Sequence, residues 1–112
     1  MGITNFPDDV ILVDLPSKEI EIADELKTLN EFVNKKHDCD VIIDFFRVEI
    51  VSSSSISNLL ILRSLLAERQ RQLFLCNVAT TTKYIFVVAG LKEVFNFVDD
   101  KSAALAAVQH AD

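Results

Sequence analysis

Four consecutive hydroxyls, Ser52-Ser53-Ser54-Ser55, have the strongest claim to chemistry in this chain. They lie between an extended segment that reads as ending near Val51 and a helical pattern that begins near Ile56. A serine at a helix N-cap accepts a backbone N–H and is worth about 1 kcal/mol against alanine. One serine does that, and four exceed the need. A helix N-terminus also carries about half a positive charge and several free N–H groups, so a phosphate placed there is stabilised. Phosphorylation adds roughly −1.5 to −2 charges, enough to change what docks against the helix end without unfolding it. Capping and a phosphate switch are therefore the two readings of the run.

Other reactive side chains assemble into nothing comparable. His37 sits in the polar stretch Lys35-Lys36-His37-Asp38, and His110 lies two residues from the last residue. Neither has a partner at HxxxH or HExxH spacing, so no metal set is expected. The G-x-S-x-G turn of a Ser-His-Asp hydrolase is absent. Gly2 and Gly90 are the only glycines, which excludes the glycine-rich loops that cradle phosphates. Cys39 and Cys76 make no CxxC pair and read as buried thiols in a reducing compartment. No cofactor is expected, and the chain reads as a binding protein rather than an enzyme.

Charge and length narrow the partners. Seventeen acidic residues against eleven basic ones give a formal charge of −6, which argues against direct nucleic-acid binding and against anionic membrane surfaces. Met1–Asp9 holds neither a basic stretch nor an apolar block, and no apolar run approaches the roughly 20 residues that span a bilayer. The expectation is a cytoplasmic protein with no membrane insertion. Its 112 residues suit one domain that folds without disulfide or metal.

The elements that must position the serines follow from periodicity. Val10–Leu15 (VILVDL) reads as a strand, with Ile3–Phe6 a hairpin partner across Pro7-Asp8-Asp9. Ile22, Leu26, Leu29 and Val33 mark an amphipathic helix whose acidic face (Glu21, Asp24, Glu25, Glu31) is solvated. Val41–Phe46 reads as a buried strand. After the serines, Ile56, Leu59, Leu60, Ile61, Leu62, Leu65, Leu66 and Ala67 are too many for one stripe, so that helix packs on more than one side. Leu73–Cys76 is a further strand, and Thr80 to Ala89 a helix with Gly90 at the left-handed C′ position. A short strand over Phe95–Val98 and a helix from Ser102 to about Gln109 complete the set. The eight phenylalanines and Tyr84 are assigned to the core, with one of Phe45 and Phe46 exposed or under a helix. Alternating strands and helices predict parallel pairing. The fold class is α/β: a mixed four- to five-stranded sheet with helices mainly on one face.

At this point Asp44-Phe45-Phe46-Arg47-Val48-Glu49-Ile50-Val51-Ser52-Ser53-Ser54-Ser55-Ile56 resembles the signature of STAS domains, the anti-sigma factor antagonist family. There a core strand ending in Asp leads through an apolar segment to Asp-Ser-Ser/Thr-Gly-Leu and a long apolar helix. Gln72–Val78 resembles the family's fourth strand, Ala89–Phe95 its GL-x-x-[VL]-F turn, and Asp99–Leu105 its last helix. The resemblance runs over roughly residues 8–109 of a single domain spanning 1–112. It implies a STAS-like fold and a regulatory role in transcription signalling. The unphosphorylated protein would bind a serine-kinase anti-sigma factor, the kinase would phosphorylate it to break that complex, and a PP2C-type phosphatase would reverse this.

Carried over by position, the phosphorylated residue is Ser53, with Ser54 and then Ser52 as the other hydroxyls in reach. Ser52 stands where the family has Asp, and Ser55 where it has Gly. The second change is expected to place a side chain where a partner backbone approaches and to remove the freedom of positive φ. The implied docking surface comprises Ser52, Ser53, Ser54, Ser55, Ile56, Ser57, Leu59 and Leu60. The alternative is a constitutive, non-phosphorylated scaffold or adaptor in a larger assembly or transporter system, in which the serines only cap the helix.

Overall fold

The computed structural model describes residues 2–6, 9–36 and 38–110. In chain order the elements are β1 (Ile3–Phe6), β2 (Val10–Asp14), α1 (Glu19–Lys36), β3 (Asp40–Asp44), α2 (Ser53–Glu68), β4 (Leu73–Cys76), α3 (Thr80–Val88), β5 (Asn96–Val98) and α4 (Lys101–His110). The sheet runs β1-β2-β3-β4-β5. β1 pairs antiparallel with β2, and every other pair is parallel, as strands separated by helical crossovers require. This is the mixed α/β sheet that the alternation predicts. Of the Pro7-Asp8-Asp9 turn, Pro7 and Asp8 lie outside the described residues, as does His37.

Successive strand residues point to opposite faces, and this divides the core in two. Ile11, Val13, Val41, Ile43, Leu73 and Leu75 join one cluster with α1, α2 and Phe86 of α3. Val10, Leu12, Ile42, Phe74 and Cys76 form the other with Ala104 and Val108 of α4. Three helices thus cover one face and one helix the other. On α1 the stripe Ile22, Leu26, Leu29 and Val33 is buried as its spacing predicts. On α2 the fully packed positions are Ser55, Leu59, Leu62 and Leu66, while Leu60 and Leu65 pack partly and Ile61 is exposed.

Two boundaries near the serines differ from expectation. The strand stops at Asp44 rather than running to Phe46 or Val51, because Asp44 Oδ1 accepts the N–H of Phe46 at 2.9 Å and turns the chain out of the sheet. Residues 45–51 form an irregular loop. The helix begins at Ser53, three residues before Ile56, because Ser52 caps it. The other shifts are small. β2 stops at Asp14 and β5 begins at Asn96, while the flanking Leu15 and Phe95 remain buried. α4 starts at Lys101, where the Asp100 carboxylate accepts the N–H of Ala103 at 2.8 Å. Gly90 has φ +76 directly after Ala89, the C-cap of α3, as expected of a C′ glycine.

Two aromatics leave the core. Phe46 is 78% exposed because it lies beyond the strand end, whereas Phe45 is buried. Tyr84 is 66% exposed because α3 buries only the stripe of Thr82 and Phe86. Both cysteines are free and buried. Burial pushes the Cys39 thiol up, and burial together with the neighbouring Asp44 charge pushes Cys76 up to about 12.

Candidate partner-docking site

The serine run folds as a cap followed by the first helical turn. Ser52 has extended backbone geometry, and its Oγ accepts the N–H of Ser55 at 3.1 Å. The Ser52 carbonyl accepts the N–H of Ile56. Serine at this position therefore supplies the N-cap acceptor without adding a charge. Ser53 and Ser54 are the first two helical residues, and both are exposed. Asn58 Nδ2 donates to the Ser54 carbonyl at 3.1 Å, and Asn30 of α1 donates to the Asn58 carbonyl at 3.1 Å, which ties this first turn to the neighbouring helix.

Ser55 behaves differently from its neighbours. Its side chain is fully buried, and its Oγ accepts a hydrogen bond from Ser52 Oγ at 3.2 Å. The hydroxyl therefore points into the helix end instead of toward an approaching partner. Nor does the position require a left-handed backbone, since the non-glycine residues with positive φ are Asp9, Gln70 and Asn77. The expectation that the Ser55 side chain stands where a partner approaches is thereby corrected, while the positive φ open to glycine is not used at this helical position. Leu59 is also fully buried, one turn further along the same face. Ser55 and Leu59, expected in the docking surface, thus lie beneath the exposed residues of this helix end. Ser53, Ser54 and Ser57 are exposed, and Ser52, Ile56 and Leu60 are half-buried.

The loop that delivers the serines adds a part the sequence reading missed. It buries Phe45, Val48 and Val51 and presents Phe46 and Ile50, which is 54% exposed. Two large apolar side chains are thus left open to solvent in the loop leading to the serines. Alternation within the assumed strand already hinted at exposure of one phenylalanine; nothing comparable marked Ile50.

A polar network holds that loop to the sheet. Asp14 and Asp44 are register partners at the ends of adjacent parallel strands, so their carboxylates face the same side and repel. Lys101 Nζ lies between them, 3.3 Å from Asp14 Oδ1 and 3.6 Å from Asp44 Oδ2. Desolvation acts against the ammonium, but its hydrogen bonds and the charges of both aspartates outweigh this and raise its pKa. Asp44 Oδ1 also accepts from Asn77 Nδ2 at 3.0 Å. One buried carboxylate therefore ties together the serine loop, the β4–α3 connection and the start of α4. Asp14, Asp44 and Lys101 line a cavity of about 320 Å³ with Leu15, Phe46 and Arg47. The signal for this network was two strand segments both ending in Asp, VILVD and DVIID.

Among the described residues, no group of three His, Cys, Asp or Glu side chains could hold a metal ion, and no helix is long and apolar enough to cross a membrane. His110 is the last residue of α4.

Comparison with known proteins gives this geometry a family. A search of curated proteins by sequence finds no match. An anti-sigma-factor antagonist (STAS) domain protein from Planctomyces limnophilus superposes with TM-score 0.82 at 24% identity, covering 96% of each chain. RsbS from Moorella thermoacetica superposes with TM-score 0.81 at 14% identity, over 96% of this chain and 92% of that one. A sulfate transporter family protein from Wolinella succinogenes gives TM-score 0.77 at 18% identity, over 95% and 89%. At these identities the likeness is one of fold. The sequence model of the STAS domain matches residues 20–104, from the start of α1 into α4. The chain belongs to the STAS domain family.

Proposed function

We propose that this chain is a cytoplasmic regulatory binding protein of the anti-sigma factor antagonist type, switched by a phosphate on Ser53. The observation that carries this reading is the exposure of Ser53 at the first position of a helix already capped by another serine. A kinase would find the hydroxyl accessible, and the phosphate would meet free N–H groups and the positive end of the helix dipole. The helix would survive the modification. The docking surface would change, because roughly two negative charges would stand beside Phe46, Ile50, Ile56 and Leu60. The partners are a serine-kinase anti-sigma factor and a PP2C-type phosphatase, and Ser54 is the secondary acceptor.

A second reading, a constitutive adaptor within a larger assembly or transporter system, is favoured by the likeness to the transporter-family structure. In that case the serines act only as cap and first turn. Incubation with ATP and a serine-kinase anti-sigma factor from the same organism, followed by mass spectrometry, separates the readings. The switch predicts phosphate on Ser53. Phosphate absent from residues 52–55, under conditions that modify an established family member, contradicts it and leaves the adaptor.

A further inference from the structure

We propose that the groove between α1 and α2 is a second docking site, which receives a basic amphipathic helix of a partner protein. The proposal does not depend on phosphorylation of Ser53. The groove has a volume of about 580 Å³, with an apolar floor that includes Leu60, Ile61 and Leu65 of α2. Ile61 is 57% exposed there, while Leu59 and Leu62 of the same helix are fully buried. Glu31 of α1 and Glu68 of α2 also line it.

The charge of its lining specifies the occupant. Neither Glu31 nor Glu68 has a cation partner among the described residues; the ion pairs formed use Asp9, Asp14, Asp40 and Asp44 instead. An apolar groove edged by two unpaired carboxylates, in a chain of net charge −6, complements lysine or arginine flanking an apolar stripe.

The dimensions suit a helix. From Leu60 to Glu68 the lining of α2 rises roughly 12 Å, about two turns at 1.5 Å per residue. Two apolar anchors one turn apart would fill it, in the helix-in-groove mode. Such a helix would extend the layer of α1 and α2 by ridge-into-groove packing. This surface shares only Leu60 with the serine site.

The test uses a fluorescent synthetic peptide about 18 residues long, roughly 27 Å as a helix, with leucines on one face and lysines on the other. A second peptide carries glutamates in place of the lysines. Anisotropy should show binding of the basic peptide and not of the acidic one. Amide chemical-shift changes should centre on residues 30–34 and 60–68. Ile61→Ser and the double variant Glu31→Lys/Glu68→Lys should each weaken binding by about tenfold or more. Glu21→Lys/Asp24→Lys, with the same change of net charge elsewhere on α1, should stay within about twofold. Ser53→Ala should leave the affinity unchanged, which keeps this outcome separate from that of the switch. Equal losses in the two charge-reversed proteins, equal binding of both peptides, shifts centred elsewhere, or no binding would each overturn the proposal. So would self-association abolished by Ile61→Ser, since the occupant would then be a second copy.

Discussion

Ser52 to Ser55 illustrate how four identical side chains acquire different roles from position alone. Ser52 caps, Ser53 and Ser54 face solvent, and Ser55 closes the cap from inside. Replacing Ser52 by alanine removes the N-cap and leaves the Ser55 hydroxyl without its donor. Urea unfolding should show a loss of about 1 kcal/mol, and Ser52→Asp should largely retain the wild-type stability. The identity of the candidate hydroxyl was legible in the sequence, because it follows from motif position. Burial of Ser55 and Leu59 follows only once the helix extends back to Ser53: Ser55, Leu59, Leu62 and Leu66 then fall on one i, i+4, i+7, i+11 stripe facing the core, which the crowd of apolar residues from Ile56 to Ala67 conceals. The cysteines give a second residue-scale prediction. Both thiols are buried and carry raised pKa values, Cys76 reaching about 12. The thiolate is the nucleophile, so iodoacetamide at pH 8 should modify neither cysteine in the native protein and both in denaturant, as counted by intact mass.

At the scale of elements, periodicity reported most of the architecture. The i, i+4, i+7, i+11 stripe of α1 and the parallel strands bracketing the helices all appear where apolar spacing places them. What escaped is tertiary. The turn at Asp44 is made by its own side chain accepting the N–H of Phe46, and the outer face of α3 is left bare because only Thr82 and Phe86 reach the core. Gly90 was readable, since a helix end followed by glycine calls for a left-handed residue. Its added Cβ would meet nothing within 4 Å, so a substitution there tests backbone conformation alone. Gly90→Ala should cost roughly 1–2 kcal/mol, the ordinary penalty for a left-handed L-residue, measured as a lower denaturant midpoint with an unchanged slope.

Across the whole molecule, the C-terminal ends of the parallel strands gather the candidate site and its supporting network onto one edge. Asp44 joins the serine loop, the β4–α3 connection and the start of α4, with Lys101 neutralising the carboxylates of Asp14 and Asp44. The sequence separates these residues by up to 87 positions, which is why no local pattern joined them. The ammonium's folded pKa is raised, so its stabilisation is complete below the ordinary lysine value of about 10.4 and disappears as pH rises through the folded value. Wild type should therefore exceed Lys101→Met in stability at neutral pH, and the gap should close above that range, as followed by denaturation at pH 7 to 11.5. The exposed Ser53 hydroxyl, the proposed switch, lies at this same edge. Its most direct test is calorimetric titration of a serine-kinase anti-sigma factor from the same organism with wild type, Ser53→Asp and, as a charge control beyond the far end of α2, the exposed position Gln70→Asp. Ser53→Asp should bind at least about tenfold more weakly than wild type, with Gln70→Asp unchanged. Equal affinity of all three proteins for the kinase would contradict the switch.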